Sequence, residues 1–244
     1  MLIFMRPGTR LRVAGVLALV LILLGVRAGI TLYGSEEEAM AKIAPQTRVK
    51  TSLAAVGLMV DVSSAPPEEI AAALEALSSV QAKATWFLDA TTVESCQEVV
   101  KEISAGGHEL GIKGTDQKAI DKLSEAEVRD RLIRARQALS QLDLIPAPFL
   151  YPPSGRFSDT VMAVAFSEGI SAVKPAQDAS RMKGKEAEAA AKIAGTLEAG
   201  DFVLIRVEKK GLKPGVAYLA ALQENLAAKG LSMAPLSALV RAVK

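Results

Sequence analysis

After residue 52 the apolar positions keep changing their spacing, and each change marks an element. Residues 54–62, AAVGLMVDV, are a short valine-rich run closed by SSAPP, the pattern of a buried strand. PEEIAAALEALSSV (67–80) then places Pro67 at a helix start and Ile70, Leu74 and Leu77 on one face. ATWFLDA (84–90) predicts a second strand. VESCQEVVKEISAGG (93–107) predicts a helix closed by Gly106 and Gly107. HELGIK (108–113) predicts a third strand. Ser124 with Glu127 three residues on is a capping box, opening a helix with Val128, Leu132, Ile133 and Leu139 at helical spacing.

The alternation continues to the end of the chain. PFLYPP (148–153), ISAVKPA (170–176), DFVLIRVE (201–208) and LSMAPL (231–236) read as strands. Residues 157–169, 185–200, 215–230 and the closing SALVRAV read as helices. Seven strand–helix units in series imply a parallel sheet covered by helices, either an open doubly wound sheet or a barrel, and periodicity does not choose between them. In both, chemistry gathers at the C-terminal ends of strands. That singles out Asp61, Val62, Asp89, residues 113–117, 151–155 and 174–178, and Arg206 to Glu208.

The N-terminus follows a different pattern. MLIFMRPGTRLR carries Arg6, Arg10 and Arg12 and leads into an uncharged run from Val13 to Val26. Arg27 interrupts it, and apolar character resumes to Tyr33. Counted to Tyr33, the run reaches the ~20 residues of a membrane span, with Arg27 placed to snorkel to the headgroups. The sequence gives no good small-x-small cleavage site, which favours a signal anchor over a cleaved signal. Three arginines before the span and Glu36, Glu37 and Glu38 after it place the N-terminus in the cytoplasm. The expected organisation is a cytoplasmic basic segment at 1–12, a single-pass transmembrane helix at 13–33, a linker at 34–51 and an extracytoplasmic domain at 52–244.

Composition narrows the chemistry. Half of the 244 residues are apolar, enough for one sizeable core. A net charge of +2 with no long basic run gives no ground for a nucleic-acid partner. The one cysteine, Cys96, excludes an internal disulfide and a cysteine-based zinc site, and on an amphipathic helix it reads as a packing residue rather than a nucleophile. The one histidine, His108, lies in GHELGIKGTDQK.

Six segments, in order, resemble the polysaccharide deacetylase family (NodB homology domain, carbohydrate esterase family four). GLMVDVS stands where the family has Thr-Phe-Asp-Asp-Gly, KATWFLDA where it has Ala-Thr-Phe-Phe, and AGGHELGIKGTDQ where it has Gly-His-Glu-Ile-Gly-Asn-His-Thr-x-x-His. LYPPSGRFSD resembles Arg-Pro-Pro-Tyr-Gly, EAGDFVLIRV the late Gly-x-Ile-x-Leu-x-His strand, and KGLSMAPLSALV the closing segment. The resemblance covers 52–244 and implies a distorted (β/α) barrel of about seven units. It also implies zinc held by an aspartate and two histidines, with a neighbouring aspartate as base and a late histidine as acid.

Carried across, the base falls on Asp61. The metal ligands fall on Val62, Lys113 and Gln117, the base-orienting arginine on Tyr151 and the acid on Arg206. Valine offers no donor and protonated lysine repels a cation, so no metal or other cofactor is expected. His108 matches a family histidine that supports the fold. The chain is similar in particular to the short, membrane-anchored sporulation-associated subgroup. The resulting expectation is a deacetylase-like protein without zinc-dependent catalysis. Asp61 would be a vestigial base, and Lys113, Gln117, Tyr151, Ser154, Asp178 and Arg206 would line a groove for cell-wall glycan or a peptidoglycan fragment. The two cations suggest either charge filling of the old metal pocket or preference for an anionic sugar. Two alternatives stay open: a hydrolase with a rearranged site using Asp61, Asp116 and Asp178, and a cell-surface scaffold for a protein partner.

Overall fold

Strand β1 (Ala55–Val62) is buried along its whole length, as its unbroken apolar run requires, and it is the hub of the sheet. In this computed structural model, which describes residues 44–114, 119–152, 155–182 and 184–243, one compact unit runs from Pro45 to Lys244. The predicted anchor at 13–33 lies outside the described residues, as do Gln117, Ser154 and Asp116. Among the described residues no helix is long and apolar enough to cross a membrane.

The further strands are β2 (Thr85–Leu88), β3 (Glu109–Ile112), β4 (Phe149–Leu150), β5 (Ser171–Ala172), β6 (Gln177–Asp178), β7 (Phe202–Glu208), β8 (Gly211–Lys213) and β9 (Ser232–Ala234). The helices are α1 (Pro67–Ser79), α2 (Ala90–Ser95), α3 (Gln97–Ala105), α4 (Glu125–Ser140), α5 (Asp159–Ser167), α6 (Glu186–Thr196), α7 (Val216–Ala228) and α8 (Leu236–Arg241). The capping box at Ser124 and Glu127 is formed, and Ser158 caps α5. Three predicted boundaries change. The helix read across 93–107 breaks at Cys96 into α2 and α3. The strands read at 148–153 and 170–176 shrink to two residues each, and β6 and the β7–β8 hairpin are additional. Pro152 and Pro175 stand two and three residues beyond the ends of the shortened strands, and proline cannot donate to a ladder.

Strand order is β5-β4-β3-β2-β1-β7-β6, with β9 also pairing with β1, and all of these pairs are parallel. Only β8 runs antiparallel, against β7. The two ends of this order, β5 and β6, are separated in sequence only by residues 173–176. Such a connection reaches at most ~18 Å, whereas a flat sheet would put these strands about 29 Å apart. The sheet therefore has to curl. Residues 46–49, read from sequence as the end of a tether, fill the gap: Gln46 bridges Val173, and Thr47 accepts from the backbone N–H of Phe202. This α/β architecture of parallel strands curled into an incomplete barrel accords with the distorted-barrel expectation and departs from a flat doubly wound sheet.

The period of two then sorts the side chains. Ala55, Met59, Phe87, Phe149, Tyr151, Phe202 and Leu204 form an inner cluster inside the curl, plugged from one end by Leu236 and Leu239 of α8. Val56, Leu58, Val60, Val62, Trp86, Leu88, Val203, Ile205 and Val207 face the helices. Gly57 makes room for the plug, since a Cβ there would stand 2.5 Å from Leu236 Cδ2 and 2.8 Å from Phe202 Cδ1. Continuing the inward set along each strand brings Asp61, Lys113, Tyr151 and Arg206 to the interior at the C-terminal ends.

Candidate functional site

Asp61 is the last inward residue of β1 and stands in register with Arg206 of β7. Its carboxylate is fully buried between two cations: Oδ1 is 2.9 Å from Lys113 Nζ, and Oδ2 accepts from Arg206 Nη1 at 3.0 Å. Lys113, just past β3, is itself 0% exposed. Its ammonium donates to the Val62 carbonyl and to Ser63 Oγ at 3.2 Å. Burying an ammonium and a carboxylate is tolerable only when they meet partners; here the ammonium has charge and hydrogen-bond partners, while the carboxylate has a hydrogen bond at Oδ2 and only the Lys113 charge at Oδ1.

Arg206 extends the network. Its Nε donates to Ser180 Oγ at 2.9 Å, and its Nη2 donates to Tyr151 Oη and Asp178 Oδ2, both at 3.2 Å. Asp178 also accepts from Ser180 and pairs with Arg181 at 2.9 Å. The inner four, Asp61, Lys113, Asp178 and Arg206, sum to zero charge. Burial works against the guanidinium of Arg206, but Asp61, Tyr151 and Asp178 outweigh it and hold its pKa above the ordinary arginine value. Burial pushes the Tyr151 phenol up to about 12, with Asp61 and Asp178 acting the same way and Arg206 opposing, so it stays a neutral acceptor at physiological pH.

The structure thus brings together Asp61, Lys113, Tyr151, Asp178 and Arg206. Tyr151 touches Arg206 rather than Asp61, so it does not replace an arginine that would orient the base. Asp61 and Asp178 offset Lys113 and Arg206; with Arg181, which also pairs with Asp178, the connected cluster carries one net positive charge, and that excess sits on an exposed guanidinium rather than at the buried centre. Sequence reading missed Ser180 and Ser63. Ser180 had a local signal, since an aspartate followed two residues later by serine is a common side-chain-to-backbone turn. Asp178 Oδ1 does accept from the Ser180 N–H, at 3.2 Å.

The residues do not fit the zinc site that the resemblance implies. Val62 turns its side chain outward into the helix-facing core and offers the interior only its carbonyl, which Lys113 occupies. The ammonium stands against Asp61 where a divalent ion would be drawn, and a second cation holds the other oxygen. Among the described residues no group of three or more His, Cys, Asp or Glu is arranged to hold a metal. His108 is remote from this centre in role. It is buried, stacks edge-on against Trp86 with ring centroids 5.9 Å apart, and its Nδ1 accepts from the Ala84 N–H at 3.2 Å. It therefore ties β3 to β2. Cys96 is buried at the α2–α3 break.

A family model described as polysaccharide deacetylase matches residues 48–173. A peptidoglycan-N-acetylglucosamine deacetylase of Bacillus cereus is 27% identical over 115 residues, 47% of this chain and 42% of that protein. An uncharacterized Bacillus subtilis protein, YlxY, is 27% identical over 100 residues, 41% of this chain and 31% of its own length. The matched stretch thus spans less than half the length of either curated relative. Among solved structures, a carbohydrate esterase family 4 pseudoenzyme from Bacillus anthracis superposes with a TM-score of 0.71 at 22% identity, covering 82% of this chain and 69% of that one. A peptidoglycan N-acetylglucosamine deacetylase crystallised with a hydroxamate-type benzamide superposes with a TM-score of 0.72 at 24% identity, covering 81% and 92%.

Proposed function

The chain belongs to the polysaccharide deacetylase family, and on that premise we propose that it is a cell-wall glycan-binding protein in which an internal ionic network has replaced zinc-dependent turnover. The observation that carries this reading is the Lys113 ammonium. It is fully buried, 2.9 Å from Asp61, and tied to the carbonyl of the residue where the family's metal aspartate would stand. With Lys113 against one carboxylate oxygen of Asp61 and Arg206 on the other, neither oxygen faces a water or substrate whose proton it could take.

The glycan class is supported by the family and by the named substrate of the Bacillus cereus relative. The basic segment, the apolar run at 13–33 and the acidic flank support attachment to the cell membrane with the domain outside. The likeness of the sequence to the sporulation-associated subgroup supports a role in sporulation.

The test is metal content and acetate release by the full chain in detergent, with N-acetylglucosamine oligomers as substrate and as binding ligand. Binding without acetate release and without stoichiometric zinc is expected. Stoichiometric zinc, or turnover abolished by Asp61→Asn, overturns the proposal. A solved structure of a family pseudoenzyme carrying a mutation is described as having restored activity. In this chain, Val62→Asp, Lys113→His, Gln117→His and Arg206→His together would return the residue types that the family resemblance implies, and should bind zinc where the unaltered chain does not.

A further inference from the structure

Helix α4 carries four arginines, and the fold treats them in two different ways. Arg129 and Arg136 turn toward α5, where both pair with Glu168. Arg131 and Arg134 turn the other way, into a cleft floored by Gly114 and walled by Asp89, Ala90, Thr91 and Glu94. Neither makes an ion pair or hydrogen bond with any described residue, although two carboxylates line the same cleft. The cleft has a volume of 60 Å³, room for a carboxylate group or a few waters.

We propose that this cleft is a second ligand site, one that takes a carboxylate flanked by hydroxyl or ammonium donors. The arginines supply planar forks that match a carboxylate oxygen pair. Asp89 is 8% exposed and its Oδ1 is committed to the Thr92 N–H at 2.7 Å, which fixes the carboxylate in the wall of the cleft. Thr91 and Glu94 add exposed polar groups at the mouth. Two arginines against Asp89 and Glu94 make the lining neutral overall, so a bare dianion meets as much repulsion as attraction. A monoanion bearing its own donors satisfies both halves, which describes a sugar acid or the carboxyl end of a short peptide. Gly114 follows Lys113 directly, so the cleft lies at the same C-terminal end of the sheet as the Asp61 centre, and a glycan held at that end can present a carboxylate to the cleft while Asp61 and Lys113 stay buried. In that sense the inference rests on the glycan-binding reading for its natural ligand, while carboxylate capture needs no statement about turnover.

The experiment is calorimetric titration of the full chain in detergent with D-glucuronate, its neutral methyl ester and D-alanyl-D-alanine, repeated on the double variant Arg131→Gln, Arg134→Gln. Glucuronate or the dipeptide should bind at least about ten-fold more tightly than the ester, and the double variant should lose that preference with its melting temperature unchanged. Preference for glucuronate identifies a sugar acid as the ligand, preference for the dipeptide a peptide carboxylate, and equal affinity the carboxylate itself as the recognised feature. Equal binding of acid and ester, no binding of any of the three, or full binding by the double variant overturns the proposal. Titration with neutral N-acetylglucosamine oligomers reports separately on the glycan reading, so the two failures are distinguishable.

Discussion

Lys113→Met keeps the length of the side chain and removes only its charge and donors. The ammonium and the Asp61 carboxylate are both 0% exposed and 2.9 Å apart, so the variant leaves a buried carboxylate with one partner fewer. Breaking such a pair typically costs 3–5 kcal/mol. Arg206 still holds Oδ2 at 3.0 Å, which argues for the low end, while the Val62 carbonyl and Ser63 hydroxyl each lose a donor, which adds to it. The expected loss is about 3 kcal/mol, or roughly 6–12 °C in melting temperature for a domain of this size. Trp86 is the sole tryptophan and is fully buried, so its emission in a urea titration reports unfolding directly. Adding Asp61→Asn to Lys113→Met should recover part of the loss, with a coupling of at least about 1 kcal/mol between the two sites. A Lys113→Met variant within 0.5 kcal/mol of the parent, or strictly additive losses, would refute the claim that these charges are mutually dependent.

Three further expectations concern the scaffold. His108 has its pKa lowered to about 4, first by burial and then by Lys83, so the unfolded chain takes up its proton before the folded one does. Stability should be full above about pH 6.5 and fall by up to about 3 kcal/mol as pH drops toward 4, a slope in urea midpoint against pH that His108→Gln flattens. Gly200 has φ +89, and a Cβ there would stand 2.0 Å from the Val49 carbonyl oxygen. Gly200→Ala should therefore cost about 2 kcal/mol or more and expose residues 44–50 to protease, whereas Gly195→Ala, in α6 with open space around it, should be neutral or slightly stabilising. Ser124→Ala removes the side-chain half of the α4 capping box, leaving the Ser124 N–H on the Glu127 carboxylate, and should lower stability by about 1 kcal/mol in the same urea assay.

The sequence by itself determined the parallel α/β class, the buried hub strand 54–62, the capped helix start at Ser124 and the proline-led one at Pro67, and the positions of Asp61, Lys113, Tyr151 and Arg206 at strand ends. These follow from local spacing: a period of two fixes which face a residue takes, and a strand's end fixes its height in the barrel. Tertiary structure alone decided the rest. Whether the sheet stays open depends on β5 and β6, two-residue strands stabilised by pairing rather than by their own composition, and on residues 46–49 closing the gap between them. Whether Arg206 seeks a ligand depends on Asp178 and Ser180, which lie about thirty residues away and meet it only because β6 pairs with β7. The sequence likewise names four arginines on one helix without distinction. Only the packing of α5 on one side and α2 on the other separates the two that are neutralised from the two that face an open cleft, because charge pairing is a property of distance in space and not of order along the chain.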